Sequence, residues 1–111
     1  MAKPDQIQDE TLRALVLEAR AAYLSGQATE SVHRSVEALL RLMHRHPDFI
    51  ALQRRPGTAA RVGRVWPGLG VKVELAADQP PRAVYERETF STSEAITFYE
   101  FALESVIDAK L

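Results

Sequence analysis

The sequence predicts an α+β fold, with an antiparallel helical hairpin, a short third helix, one β-hairpin and a C-terminal helix packed on it. Three long segments repeat apolar residues at helical spacing, and VKVEL at 71–75 alternates apolar and charged residues with the two-residue period of a half-buried strand. A length of 111 residues and a 46% hydrophobic share are typical of one globular domain, so we expect residues 1–111 to form a single domain.

The first helix is expected to begin at Pro4 and Asp5, because proline suits a first helical turn and an acidic side chain suits its positive end. Gly26 is expected to end it. Its core-facing stripe comprises Leu12, Leu15, Val16, Ala19, Ala22 and Tyr23. Leu17 and Leu24 lie one heptad apart on another side, and a helix with a second apolar strip is either covered twice or paired with a partner.

The second helix is expected to be capped by Thr29 and to run to about His46, because Pro47 disfavours helical geometry at the residue before it. Its apolar stripe comprises Val32, Val36, Leu39, Leu40 and Met43. Since the link between the first two helices is short, they should pack antiparallel.

The stretch QRRPGTAARVGRVWPGLG, at 53–70, connects the helical hairpin to the strands. Within it, Thr58 is the expected cap of a short third helix over 58–66, which PGLG then ends. Trp66 is expected in the core at the end of this helix. The preceding segment PDFIALQ forms either a helical turn or a tucked apolar segment.

The two strands are expected to be VKVEL and the less regular RAVYERETF at 82–90, joined by a turn in AADQPP. The prolines of that turn must stay out of the hydrogen-bond ladder, because proline has no N–H to donate. A lone β-hairpin is marginally stable in water, so this one must lie on helices or join another sheet.

The last helix has the clearest start, because Ser91 followed by Glu94 has the spacing of a capping box. Its apolar face comprises Ile96, Phe98, Tyr99, Ala102, Leu103, Val106 and Ile107. Phe101 falls on the otherwise acidic side of this helix, so it is predicted to be exposed.

Composition excludes several classes of protein. The chain has no cysteine, which removes disulfides, thiolate metal sites and a cysteine nucleophile. Its polar N-terminal segment does not resemble a signal peptide, and no apolar run approaches the roughly 18–20 residues of a membrane span. We therefore expect a cytoplasmic protein with no membrane partner. The absence of asparagine and the eleven arginines against three lysines fit either a thermophilic source or a GC-rich genome.

Charge is unevenly distributed along the chain. Residues 41–64 carry six arginines and one acid, a net of +5, and since the whole chain has a net charge of −1 the remainder sums to −6. This basic segment either pairs with the acidic C-terminal helix of its own chain or of a twofold mate, or meets an anionic partner. Its candidate anion and nucleic-acid contacts are Arg54, Arg55, Arg61 and Arg64.

A winged helix is the sharper form of the nucleic-acid hypothesis, with 58–66 as recognition helix and the β-hairpin as wing. Arg61 and Arg64 would share one face of that helix. Three observations count against it: Gly63 destabilises the helix by about 1 kcal/mol relative to alanine, no other base-reading side chain lies on its exposed face, and the wing carries more acidic than basic residues.

No motif indicates a cofactor, a metal or catalysis. The glycines of 57–70 match neither a Walker loop nor a dinucleotide fingerprint. His33 and Glu37 are neighbours on the second helix, but His44 lies about 10 Å further along its axis, so the three cannot hold one metal ion. No nucleophile elbow or comparable spacing occurs, and we assign no catalytic, cofactor-binding or metal-binding residue.

These observations favour a non-catalytic interaction or regulatory protein, expected to be a homodimer that presents an apolar patch beside the basic segment. The candidate interface residues are Leu17, Leu24 and Phe101. Two alternatives stay open: a winged-helix-like DNA- or RNA-binding protein that uses residues 54–64, and a small enzyme or ligand-binding accessory subunit.

Overall fold

The structure is a computed structural model, and it describes three stretches of the chain: 3–45, 70–76 and 79–110. A one-turn 3-10 helix spans Pro4–Gln6. The α-helices are α1 (Glu10–Leu24), α2 (Ala28–Arg45) and α3 (Thr92–Asp108), and the strands are β1 (Val71–Ala76) and β2 (Gln79–Tyr85). The described part is therefore mostly helical, which agrees with the predicted α+β class at a coarse level.

Internal contacts divide the chain into two compact units: Met1–Leu39 with Thr89–Leu111, and Leu40–Glu88. The predicted short third helix, at 58–66, lies outside the described residues. The packing of the last helix on the strands, and the folding of both units as one domain, stay predictions.

Helix α1 begins at Glu10, later than the sequence predicts. The predicted first turn is the separate 3-10 helix Pro4–Gln6, because the backbone is extended at Ile7 and the Ile7 side chain is buried. Asp9 takes the capping role, since its carboxylate accepts a hydrogen bond from the Leu12 N–H at 2.9 Å.

The end of α1 is the glycine stop that the sequence predicts. Gly26 has a φ of 84°, in the left-handed region that favours glycine. The Gln27 N–H donates to the Ala22 carbonyl oxygen at 2.8 Å, and the Gly26 N–H donates to that of Tyr23 at 3.3 Å. These two bonds form a Schellman motif, so this prediction is confirmed.

The starts of α2 and α3 differ in how well the sequence predicts them. Thr29 lies inside α2, and its hydroxyl oxygen accepts a hydrogen bond from the Phe90 N–H at 3.1 Å, so it is not the cap. The capping box at α3 is confirmed: Ser91 Oγ accepts from the Glu94 N–H at 3.1 Å, and Glu94 Oε1 accepts from the Ser91 N–H at 3.0 Å.

Helices α1 and α3 share a core in the first unit with the part of α2 that ends at Leu39. Helix α1 packs against α3, where the Tyr23 and Tyr99 rings meet edge to face with centroids 5.4 Å apart. The Ser31 hydroxyl donates to the Ala19 carbonyl oxygen at 2.6 Å, so α1 and α2 approach closely at small residues. The largest side chains with almost no exposure include Ile7, Leu12, Val16, Val32, Val36, Leu39, Phe98 and Val106.

Strands β1 and β2 pair antiparallel, with Val71 opposite Tyr85. Strand β2 begins at Gln79 and contains Pro80 and Pro81. The prediction that these prolines belong to the turn is therefore wrong. The ladder is irregular opposite these prolines, as expected for residues that have no N–H to donate. Residues 77–78, between the strands, lie outside the described part of the chain.

Candidate interaction surface

Two leucines lie on the outer face of α1, which we define as Ala14, Leu17, Ala21 and Leu24. Leu17 is 44% exposed and Leu24 is 67% exposed. At about 100° per residue the two point within about 20° of each other, on the side of α1 away from its buried stripe. That stripe consists of Leu12, Leu15, Val16, Ala19 and Ala22. The alanines of the outer face are also exposed, so the four residues make one apolar strip.

Arginines line one side of this strip, and we call Arg13 and Arg20 the arginine edge. Arg13 is half-buried, and its Nη1 donates to the Ile7 carbonyl oxygen at 3.0 Å. Arg20 is exposed and acts electrostatically on Tyr99 of α3. Arg13 is therefore fixed by a hydrogen bond to the segment that precedes α1.

Burial raises the pKa of the Tyr99 hydroxyl above its ordinary value, and Tyr23 and Glu100 act in the same direction. Arg20 opposes them, because a positive charge favours the ionised phenolate. The Tyr99 side chain is thus a buried group whose neutral form is favoured.

The other side of the strip is acidic, and we call Glu18, Glu30 and Glu37 around Arg34 the acidic edge. Arg34 Nε lies 2.9 Å from Glu30 Oε1 and 3.6 Å from Glu18 Oε2, and its Nη1 lies 3.8 Å from Glu37 Oε2. Three carboxylates therefore lie within 3.8 Å of one guanidinium. These side chains are roughly half exposed, so each pair contributes little to stability. A shallow depression of about 280 Å³ lies here, with Ala21 on its wall.

Phe101 is a correction to the predicted interface, because it is only 6% exposed. The buried residues of α3 extend around about 200° of its circumference, and Phe101 lies at one border of that arc. Glu100, Glu104 and Asp108 lie on the remaining part of the circumference and are exposed. Phe101 belongs to the core and is not available to a partner.

The four predicted anion contacts, Arg54, Arg55, Arg61 and Arg64, lie outside the described residues. Within 3–45, 70–76 and 79–110, no group of three or more histidine, aspartate or glutamate side chains is placed to hold a metal ion. Over the same residues, no helix has the length and apolar character to span a membrane.

Sequence reasoning missed Glu18, Arg20 and Arg34 as parts of this surface. The signals were present, since Glu30 and Arg34 have the i, i+4 spacing of a helical ion pair, and Glu18 and Arg20 flank the leucine strip. No pattern near Arg34 in the sequence indicates its contact with Glu18, because Glu18 belongs to a different helix.

No known protein family matches this chain, and no curated protein or solved structure is significantly similar to it.

Proposed function

We propose that this chain is a non-catalytic interaction protein that forms a homodimer through the outer face of α1. The observation that carries the proposal is the exposure of Leu17 and Leu24 on one line of a helix whose opposite side is already buried in a core. Fully removing a leucine side chain from water is worth about 1.5–3 kcal/mol, and Leu17 and Leu24 can contribute the part of that value that matches their exposed fractions. A second copy of the same strip supplies the missing apolar contact by symmetry.

The size of the strip sets the expected affinity. One face of a four-turn helix is much smaller than the roughly 800 Å² per partner that stable complexes bury. We therefore expect a weak, concentration-dependent dimer, with a dissociation constant in the micromolar range or above.

The basic segment supports a second candidate function, binding of DNA or RNA by the four arginines of residues 54–64. Its support is the net charge of +5 over residues 41–64. Binding of this kind falls steeply with salt, so a duplex titrated at low and moderate salt tests it. Tight binding that is lost with Arg61→Ala and Arg64→Ala together would favour this function over simple self-association.

The test of the preferred function is the mass of Leu17→Glu in solution, with Thr97→Glu as a matched control. Both substitutions add one negative charge at an exposed position inside a helix. Two partly exposed leucines are lost per dimer, so Leu17→Glu should raise the dissociation constant by about tenfold or more, while the control should leave it unchanged. Equal masses for the two variants under all conditions would contradict the proposal.

A further inference from the structure

The two edges of the outer face carry opposite charge, and this restricts how two copies can meet. The arginine edge lies on one side of the leucines, and Glu18 with its acidic neighbours lies on the other. If the two copies are related by a twofold axis parallel to α1, the arginine edge of each copy faces the acidic edge of the other. If the axis is instead perpendicular to α1 and level with the midpoint between Leu17 and Leu24, like edges meet. Arg20 then faces Arg20 of the partner copy.

The axial heights of the charged side chains agree with the first arrangement. Arg20 follows Glu18 by two residues, which is about 3 Å along the helix axis, so two long side chains reach across it easily. Glu18 is about half exposed, with its Oε2 3.6 Å from Arg34 Nε of its own chain, and Arg20 is exposed, so a partner copy can reach both side chains. One unfavourable contact arises at the end of the strip, where Glu10 meets its own copy, and Arg13 lies beside it to offset the repulsion.

Small residues favour close approach in the same arrangement. Ala14 and Ala21 alternate with Leu17 and Leu24 at the spacing of a heptad seam. Helices with small side chains at a contact pack at the short end of the usual 8–10 Å range of axial separations.

We propose that two copies of this chain pair through parallel α1 helices, with Arg20 of each copy facing Glu18 of the other across the leucine strip. This inference rests on the proposed self-association and adds its orientation and its charged contacts.

Single cysteines test the orientation, because the natural chain has none. In a parallel pair Leu24 meets its own copy, so Leu24→Cys should form a disulfide-linked dimer on mild oxidation, and so should Leu17→Cys. In an antiparallel pair the two copies of position 24 are about 10 Å apart, too far for a disulfide, and only a mixture of the two variants should link. Thr97→Cys, at an exposed position of α3, measures how much disulfide forms by random collision.

Charge reversal tests the contact itself. Arg20→Glu alone and Glu18→Arg alone should each weaken the dimer about tenfold, because each removes two attractive pairs and adds repulsion. The double variant Arg20→Glu with Glu18→Arg should recover most of the wild-type affinity. Circular dichroism checks that every variant keeps its helices.

The outcomes distinguish the parallel pairing of α1 helices from the proposed self-association on which it depends. Linking by each single cysteine variant, with rescue by the double charge reversal, supports the parallel pair. A wild-type dimer in which only the cysteine mixture links, or in which charge reversal is not rescued, overturns the parallel pair and leaves self-association intact. A wild-type chain that stays monomeric at all concentrations overturns both.

Discussion

Ser31 and Ser35 lie one turn apart on α2, and both are fully buried. The Ser31 hydroxyl bonds to the Ala19 carbonyl oxygen of α1, whereas Ser35 Oγ has no hydrogen-bond partner among the described residues. A buried hydroxyl without a partner costs about 1–3 kcal/mol, and a bonded one contributes about 1 kcal/mol. Two residues of the same type on one helix therefore have opposite effects on stability.

Replacing each serine by alanine should separate these effects. We expect Ser31→Ala to lower the free energy of unfolding by about 1 kcal/mol, and Ser35→Ala to leave it unchanged or raise it. Urea denaturation followed by circular dichroism measures both variants beside the wild type. Equal destabilisation by the two substitutions would show that Ser35 also has a partner.

Tyr99 makes the stability of the fold depend on pH at the alkaline end. Its pKa is raised above 10.0, chiefly by burial, so the folded state holds the phenolic proton more tightly than the unfolded state. The stabilisation that comes from protonated Tyr99 is complete below the pKa of this group in the unfolded state. It is lost as the pH rises through the pKa of the group in the folded state.

The free energy of unfolding should therefore fall as the pH rises above about 10. Tyr99→Phe should remove this part of the decline, because phenylalanine has no proton to lose. Urea denaturation at several alkaline pH values measures both slopes. The same decline in the variant and the wild type would assign the pH dependence to other groups.

The helix boundaries show which local signals determine an element. The stop at Gly26 and the capping box of Ser91 and Glu94 are predictable, because all their partners lie within a few residues. Thr29 is equally good as a local cap, but its hydroxyl bonds the Phe90 N–H, and nothing near Thr29 in the sequence indicates that partner. The same limit applies to Phe101, whose burial depends on what packs around α3.

Gly26 is the position where a helix end can be tested most simply. Its φ is 84°, and a Cβ added there would meet no atom within 4 Å, so the cost of alanine is purely conformational. We expect Gly26→Ala to destabilise the fold by about 1–2 kcal/mol, and Gly26→Asn by less, since asparagine tolerates the left-handed region. Thermal unfolding of both variants checks the order, and a neutral Gly26→Ala would contradict the Schellman assignment.

Some residues of the surface that two copies would share can be predicted from the sequence, and others cannot. Leu17 and Leu24 are predictable as a second strip on one helix, and the structure places both in solvent. The acidic edge combines Glu18 of α1 with Glu30 of α2 around Arg34, and such a cluster follows only once the two helices are packed together. The opposite charge of the two edges is thus a property of the packed helices and not of either segment alone.

Self-association through α1 is tested most directly by the mass of the wild-type chain as a function of its concentration. Sedimentation equilibrium from low-micromolar to millimolar protein should show a rise from the monomer mass of 12.4 kDa toward twice that value. The rise should follow a monomer–dimer equilibrium and should shrink in high salt, which screens the contacts between opposite edges. A mass that stays at 12.4 kDa over the whole range would contradict the account.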